Sequence, residues 1–279
     1  MKTYLDKISK NDLREFLELY KRVVEFDVDD YYEKALDLLK FYNGKVDSNE
    51  IINAMEQHWY RSLRQNNMPD YSIYDSPIFV LDLWACWKLY SRNYIRNIVT
   101  SKNEINGERI YDYFNKRINN VVDLGCGIGY TSVALSQVFN CGVYATNIKD
   151  SAQWKFCKLL FQNHNRIGIA DNIKKVGEHI KKNERTIDMV FASEYFEHFA
   201  NPIDHATIVI NSVKPKFIAM ANAFGADAIG HFDTYPVGDK KVEGRLFGRY
   251  FNDHIRSMGY ETLETGFFNN RPYIFQKIG

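Results

Sequence analysis

Between residues 123 and 129 the chain reads Asp-Leu-Gly-Cys-Gly-Ile-Gly, directly after the short apolar run Val121-Val122. Gly125, Gly127 and Gly129 carry no Cβ, so the backbone can turn through positive φ and let a ligand approach closely. A G-x-G-x-G turn after a strand is compatible with dinucleotide binding. Asp123 points elsewhere. A carboxylate two residues ahead of the first glycine gains nothing from a phosphate and suits a cationic group, such as the ammonium of an aminoacyl moiety. Two further runs combine acidic, aromatic and imidazole side chains. Ala192-Ser193-Glu194-Tyr195-Phe196-Glu197-His198-Phe199 offers Glu194 and Tyr195 to a substrate, and His198 as a base, a ligand contact or a structural hydrogen-bonder. Gly230-His231-Phe232-Asp233-Thr234-Tyr235 gathers His231, an acid and a phenol that could activate a hydroxyl; a solvated loop accounts for that stretch equally well. Trp84, Trp87, Tyr90 and Tyr94 fall at helical spacing and fit core packing better than a substrate stripe. Arg92 and Arg96, four apart, suit either an anion or an internal salt bridge.

These groups need elements to hold them. The first hundred or so residues read as helices. Asp12 with Glu15 forms a capping box, Tyr32, Ala35, Leu36 and Leu39 form an apolar stripe, Ser48 opens a third helix, and Ser76-Pro77 opens a long apolar one. From about residue 105 the texture changes to strand–helix alternation. Strands are expected at 121–124, 142–146, near 173–176, at 187–192 and at 217–223, with helices at 131–138, 151–161, 201–210 and 246–255. Residues 224–241 read as a polar connection, and 260–268 with 273–277 as a closing hairpin. Alternation of this kind predicts an α/β fold, a doubly wound, mostly parallel sheet with an antiparallel terminal hairpin. The chain divides into a helical extension, 1–104, and a sheet domain, 105–279.

Composition excludes several classes. A net charge of +1 gives no global field for nucleic acid or membrane. No apolar run approaches a membrane span. The N-terminus shows no secretory signal core, so a cytoplasmic setting is expected. Cys86, Cys126, Cys141 and Cys157 form no C-x-x-C pair and have no histidine at zinc spacing, so no metal site is expected and the thiols read as buried and reduced.

VVDLGCGIGYTSVAL resembles motif I of the class I, Rossmann-like S-adenosylmethionine-dependent methyltransferases, and the order of elements over 105–279 is similar to theirs. The resemblance implies a seven-stranded sheet and S-adenosyl-L-methionine as cofactor. It implies cofactor contacts at Asp123, Gly125, Cys126, Gly127, Gly129 and Tyr130, and at Ser193 after the fourth strand. The family's acidic ribose ligand at the end of the second strand is replaced here by Asn147, followed by Ile148. The adenine contact after the third strand falls on Glu178, with Asp171 as its rival.

The segment ending in Glu197-His198 is similar to the E-H segment of small-molecule methyltransferases, which favours a small-molecule acceptor methylated at oxygen or nitrogen. Ser193 and Phe196 also align loosely with the motif of amino-methylating DNA enzymes, though both of its prolines are missing. A nucleic-acid methyltransferase therefore stands as an alternative. A protein that binds the cofactor without methylating stands as another, on the degenerate Asn147. The N-terminal helices would cap the substrate or join two copies in a homo-oligomer.

Overall fold

The computed structural model describes residues 86–268 and 271–279, together with 57, 59–63, 71–75, 79 and 83. The helix starts read at Asp12, Tyr32, Ser48 and Ser76-Pro77, and Trp84, lie outside the described residues.

Seven strands form one sheet. Five are parallel: β1 (Asn120–Leu124), β2 (Gly142–Thr146), β3 (Ile167–Ala170), β4 (Met189–Ser193) and β5 (Phe217–Ala221). A separate two-stranded ribbon, β6 (Thr234–Val237) and β7 (Lys240–Glu243), follows β5. The terminal strands β8 (Tyr260–Thr262) and β9 (Tyr273–Lys277) complete the large sheet in the order β8-β9-β5-β4-β1-β2-β3. β9 runs antiparallel to β5 and to β8.

Side chains alternate along each strand, and both faces are covered. Val122, Leu124, Val190, Ala192, Ile218 and Met220 pack under α5 (Ile173–Lys182), α6 (Pro202–Val213) and α7 (Gly244–Ser257). Their neighbours Val121, Val143, Met189, Phe191 and Ala219 pack under α1 (Arg92–Thr100), α2 (Ile110–Asn115) and α3 (Tyr130–Phe139). α4 (Ala152–Phe161) lies beside Ala145 through Cys157 and Phe161. Two buried faces explain why these strands read as continuous apolar runs.

Local signals start and stop the helices where the sequence predicts. Asn201 caps α6 by accepting from the Asp204 N–H, with Pro202 in the first turn. Ser151 caps α4 through the Trp154 N–H, and Gly259 at φ 89° follows α7.

Three expectations are corrected. The third strand is Ile167–Ala170, and residues 173–176 begin α5. The buried Ile173, Val176 and Ile180 recur at spacings of three and four, a helical period, whereas β3 is a half-exposed edge strand without a solid apolar run. Within 224–241 the chain forms the β6–β7 ribbon. The strand starting at Tyr260 ends at Thr262.

Candidate functional site

The turn after β1 is built by its own polar groups. Gly125, Gly127 and Gly129 have φ of 57°, 55° and 90°. A Cβ on Gly125 would lie 2.3 Å from Cδ2 of Tyr195, and one on Gly129 2.8 Å from Cε1 of Phe161. At Gly127 the nearest atom would be Leu83 Cδ2 at 3.8 Å, so this is where the backbone leaves room. The Gly125 N–H donates to Thr146 Oγ1 at 3.1 Å, and the Cys126 N–H to Thr146 O at 2.9 Å. Asp123 is 1% exposed and accepts from Ser132 Oγ at 2.6 Å. Burial pushes its carboxyl up to about 7, against the opposing effect of the Ser132 hydrogen bond.

Asn147 is also turned inward. Its Nδ2 donates to Gly127 O at 2.7 Å, and its Oδ1 accepts from the Ile148 N–H at 2.9 Å. The amide ties the end of β2 to the glycine turn, a task for which a carboxylate has no donor. Cys126 is buried with its Sγ 3.6 Å from Cys157 Sγ, so only its backbone faces the turn's open side. The Tyr130 ring stacks on Trp87 at 6.1 Å. Ile148 is 49% exposed beside the turn, an unusual position for an aliphatic side chain.

Asp171 follows β3 directly and pairs with Lys175 at 2.6 Å. It lines a cavity of about 410 Å³ with Tyr144, Lys149, Trp154 and Ala170. Trp154 Nε1 in that wall is buried without a hydrogen-bond partner. Glu178 sits one turn into α5 and is exposed, so the rival position Asp171 occupies the end of the third strand.

The end of β4 is different in kind. Ser193 Oγ meets Ser91 Oγ at 2.7 Å. Glu194 adopts a left-handed φ of 50°, its N–H bonded to Ala221 O at 2.7 Å. A non-glycine residue in that region is strained, and such strain gathers at functional sites. Its Oε1 accepts from Tyr94 Oη at 2.8 Å and lies 3.6 Å from Arg271 Nη1. Arg271 also donates to Tyr94 Oη at 3.2 Å and to Asn222 O at 3.1 Å. Burial raises the Glu194 carboxyl.

The short 3₁₀ turn Phe196–His198 then carries Glu197 and His198. Glu197 has no exposure; its Oε1 accepts from the Ala223 N–H at 2.8 Å, and its Oε2 has no hydrogen-bond partner. Burial, then the neighbouring Glu194 charge, holds its carboxyl well above the ordinary range. His198 Nδ1 lies 3.1 Å from Tyr74 Oη, and its ring meets that of His231 edge-on at 4.9 Å. Burial, reinforced by His231, lowers His198 to about 3. Burial likewise lowers His231 to about 4. Both imidazoles are therefore neutral near pH 7. Trp59 Nε1 donates to His231 O at 2.8 Å, closing this side with a residue of the N-terminal part.

Of the four residues singled out for chemistry, Glu194, His198 and His231 meet at the ends of β4 and β5. Tyr195 turns away onto Gly125, its hydroxyl 2.9 Å from His205 Nε2. Glu197, Tyr94 and Arg271 join the cluster without having been singled out. Glu197 stood beside His198 in the same run, but Arg271 lies in the hairpin connection, with no local signal for a contact 177 residues away. Arg92 and Arg96 are exposed on α1.

Residues 122–216 match the model of a family described as a methyltransferase domain. The match spans 95 of the 279 residues, and this part of the chain is similar to the S-adenosylmethionine-dependent methyltransferases. Members of this family bind S-adenosylmethionine as methyl donor. Among curated proteins none matches the chain. Several solved structures are similar to it. The methyltransferase domain of bacterial CtHen1-C is 14% identical, with 67% of this chain and 99% of that one covered and a TM-score of 0.42. A fibrillarin pre-rRNA processing protein from Methanococcus jannaschii is 12% identical, covering 59% and 69%, with a TM-score of 0.42. The CcbJ methyltransferase from Streptomyces caelestis is 12% identical, covering 61% and 88%, with a TM-score of 0.41. Among the described residues, no helix of this methyltransferase is long and apolar enough to cross a membrane.

The open face at Gly127, the exposed Ile148 and the Asp171 cavity offer backbone, apolar and acidic surfaces after β1, β2 and β3 respectively. The polar residues Asp123 and Asn147 shape the first of these from behind.

Proposed function

We propose that this methyltransferase acts on an oxygen or nitrogen of a small-molecule acceptor held at the ends of β4 and β5. In this reading Gly125, Gly127, Gly129 and Ile148 hold the cofactor, with Asp171 in place of Glu178 at its adenine end. When bound, S-adenosylmethionine supplies a methyl group on an already activated sulfonium, so the protein's main task is to position a lone pair. Glu194, braced by Tyr94 and Arg271, takes the acceptor's proton. His198 and His231 present uncharged nitrogens on the same side. Residues 105–279 carry the chemistry, and the 1–104 extension caps the acceptor.

The observation that carries this reading is the enclosure of the cluster. Glu197 is fully buried, and Trp59 and Tyr74 close over His231 and His198. A covered, polar cluster fits a small molecule better than an extended polymer, and the near-neutral total charge adds no attraction for a polyanion.

Methyl-labelled cofactor with cell extract, fractionated into metabolites, protein and nucleic acid, tests the assignment. Label is expected in a metabolite. Label confined to nucleic acid would overturn the acceptor class, and label nowhere despite cofactor binding in calorimetry would overturn catalysis.

A further inference from the structure

Two carboxylates buried under the same sheet receive opposite treatment. Asp188, 2% exposed, is matched oxygen for oxygen: Oδ2 accepts from the N–H groups of Asn119 at 2.8 Å and Asn120 at 3.1 Å, and Oδ1 from Lys216 Nζ at 2.7 Å. Glu197, with no exposure, has one oxygen matched and the other facing no donor. A buried polar atom left without a partner costs about 1–3 kcal/mol, and more when charged. Its nearest side-chain neighbour, Glu194, is itself a carboxyl group and brings no nitrogen donor to that oxygen. Among the described residues, the cation in contact with the pair is Arg271, at 3.6 Å from Glu194. Arg271 answers Glu194, and the second oxygen of Glu197 stays unmatched.

Imidazole nitrogens lie beside that carboxyl group. One ring nitrogen each of His198 and His231 and a carboxylate oxygen of Glu197 all lie within 4.8 Å of one another. A single cation at about 2.0–2.2 Å from three ligands holds them roughly 3–3.5 Å apart, so small side-chain rotations bring this trio to bonding distance. The His231 ring is also oriented for the purpose. Its Nδ1 lies 3.0 Å from Ala226 O; a carbonyl only accepts, so Nδ1 carries the proton and Nε2 keeps its lone pair. A backbone carbonyl behind the ring is the usual way a ligating histidine is held. Tyr74 Oη meets His198 Nδ1 and Trp59 grips the His231 carbonyl, so both rings are braced.

We propose that Glu197, His198 and His231 bind one divalent first-row transition-metal ion, with Glu194 beside it as an outer carboxylate. Two imidazoles and one carboxylate suit zinc, iron, cobalt or manganese, whereas magnesium prefers oxygen alone. Three protein ligands leave coordination positions open to water or to a substrate oxygen. The sequence gives no warning of this, because Glu197 and His198 are consecutive and His231 comes from the segment between β5 and β6. The expectation of no metal site rested on linear spacing; the fold supplies the third ligand.

The test uses the full chain, free of any histidine tag and stripped with chelator. Cobalt(II) titration followed by visible absorption, and zinc or manganese measured after dialysis, should saturate at one ion per chain. His198→Ala and His231→Ala should each weaken binding by roughly ten- to a hundredfold, while His254→Ala, whose ring meets Thr207 between α6 and α7, should not. Should either variant fail to keep the wild-type circular dichroism, pulsed electron paramagnetic resonance of copper(II)-loaded wild type decides, with couplings to two imidazole nitrogens expected. No saturable binding of any of these ions up to millimolar concentration would overturn the site. Binding undiminished in the folded variants, or a copper spectrum without imidazole couplings, would do the same. None of these readouts depends on methyl transfer, so the metal site and the acceptor assignment fail separately.

Discussion

The glycine turn after β1 and the acidic turn after β4 lie next to each other, joined by the contact of Tyr195 with Gly125, and they use buried polar groups in opposite ways. At the first, Asp123, Thr146 and Asn147 are matched by Ser132, Gly125, Gly127 and Ile148, and the result is a fixed backbone shape. At the second, Glu194 and Glu197 face each other near neutral imidazoles, one oxygen has no donor, and the backbone is strained. A site that receives one unvarying ligand can be finished in advance. A site that must handle a proton and a reacting atom keeps unspent hydrogen-bonding capacity, and the fold's other interactions must hold it in place.

The largest expected effect breaks the finished side. In Gly125→Val the left-handed φ alone costs about 1–2 kcal/mol, and the collision with Tyr195 adds to it. Calorimetry should show cofactor affinity down by well over about tenfold; full affinity would remove the turn from the cofactor site. On the unfinished side, Glu194→Gln keeps the Tyr94 hydrogen bond but loses the proton acceptor. Its kcat should fall about a hundredfold at unchanged cofactor affinity, whereas a matching loss of affinity would make Glu194 part of the donor site.

A subtler difference concerns pH. Asp123 is raised from its ordinary 3.8 to about 7, so the folded state holds a proton that the unfolded state has released. Its contribution to stability is complete below about pH 4 and is lost as pH rises to about 7. Asp123→Asn, which keeps an acceptor for Ser132, should flatten the fall of the urea midpoint between those pH values. Parallel slopes in variant and wild type would show that the carboxyl is not perturbed. The smallest effect separates neighbours: Asp171→Asn should weaken cofactor binding about three- to tenfold, the worth of one charge-assisted hydrogen bond, and Glu178→Ala should leave it unchanged. The reverse result would restore Glu178 as the adenine contact.

Legibility in the sequence followed the range of the interactions. Asn201-Pro202, Ser151 and Gly259 act within one turn of backbone, and the predicted helix ends fell within a few residues. β1, β2, β4 and β5 are buried on both faces and read as apolar runs, while edge strand β3 lost out to the stronger pattern of α5. The glycine turn was legible because Gly125, Gly127 and Gly129 alternate within one short stretch after β1. Its two polar residues were assigned to the ligand, and their inward bonds depend on packing that no spacing reveals. The polar cluster after β4 was half legible, since Glu194 and His198 follow β4 directly. Tyr94 and Arg271 meet 177 residues apart, a relation only the assembled sheet creates.

Trp59 is fully buried, donates its indole N–H to His231 O, and packs edge-on to Phe232 at 5.5 Å. Among the described residues this join is made by side chains, with no strand ladder crossing it. Substitutions in the roof therefore leave the hydrogen-bonded sheet and its donor turn intact. A change at Trp59 can thus alter the cover over His231 while the sheet beneath is inherited unaltered.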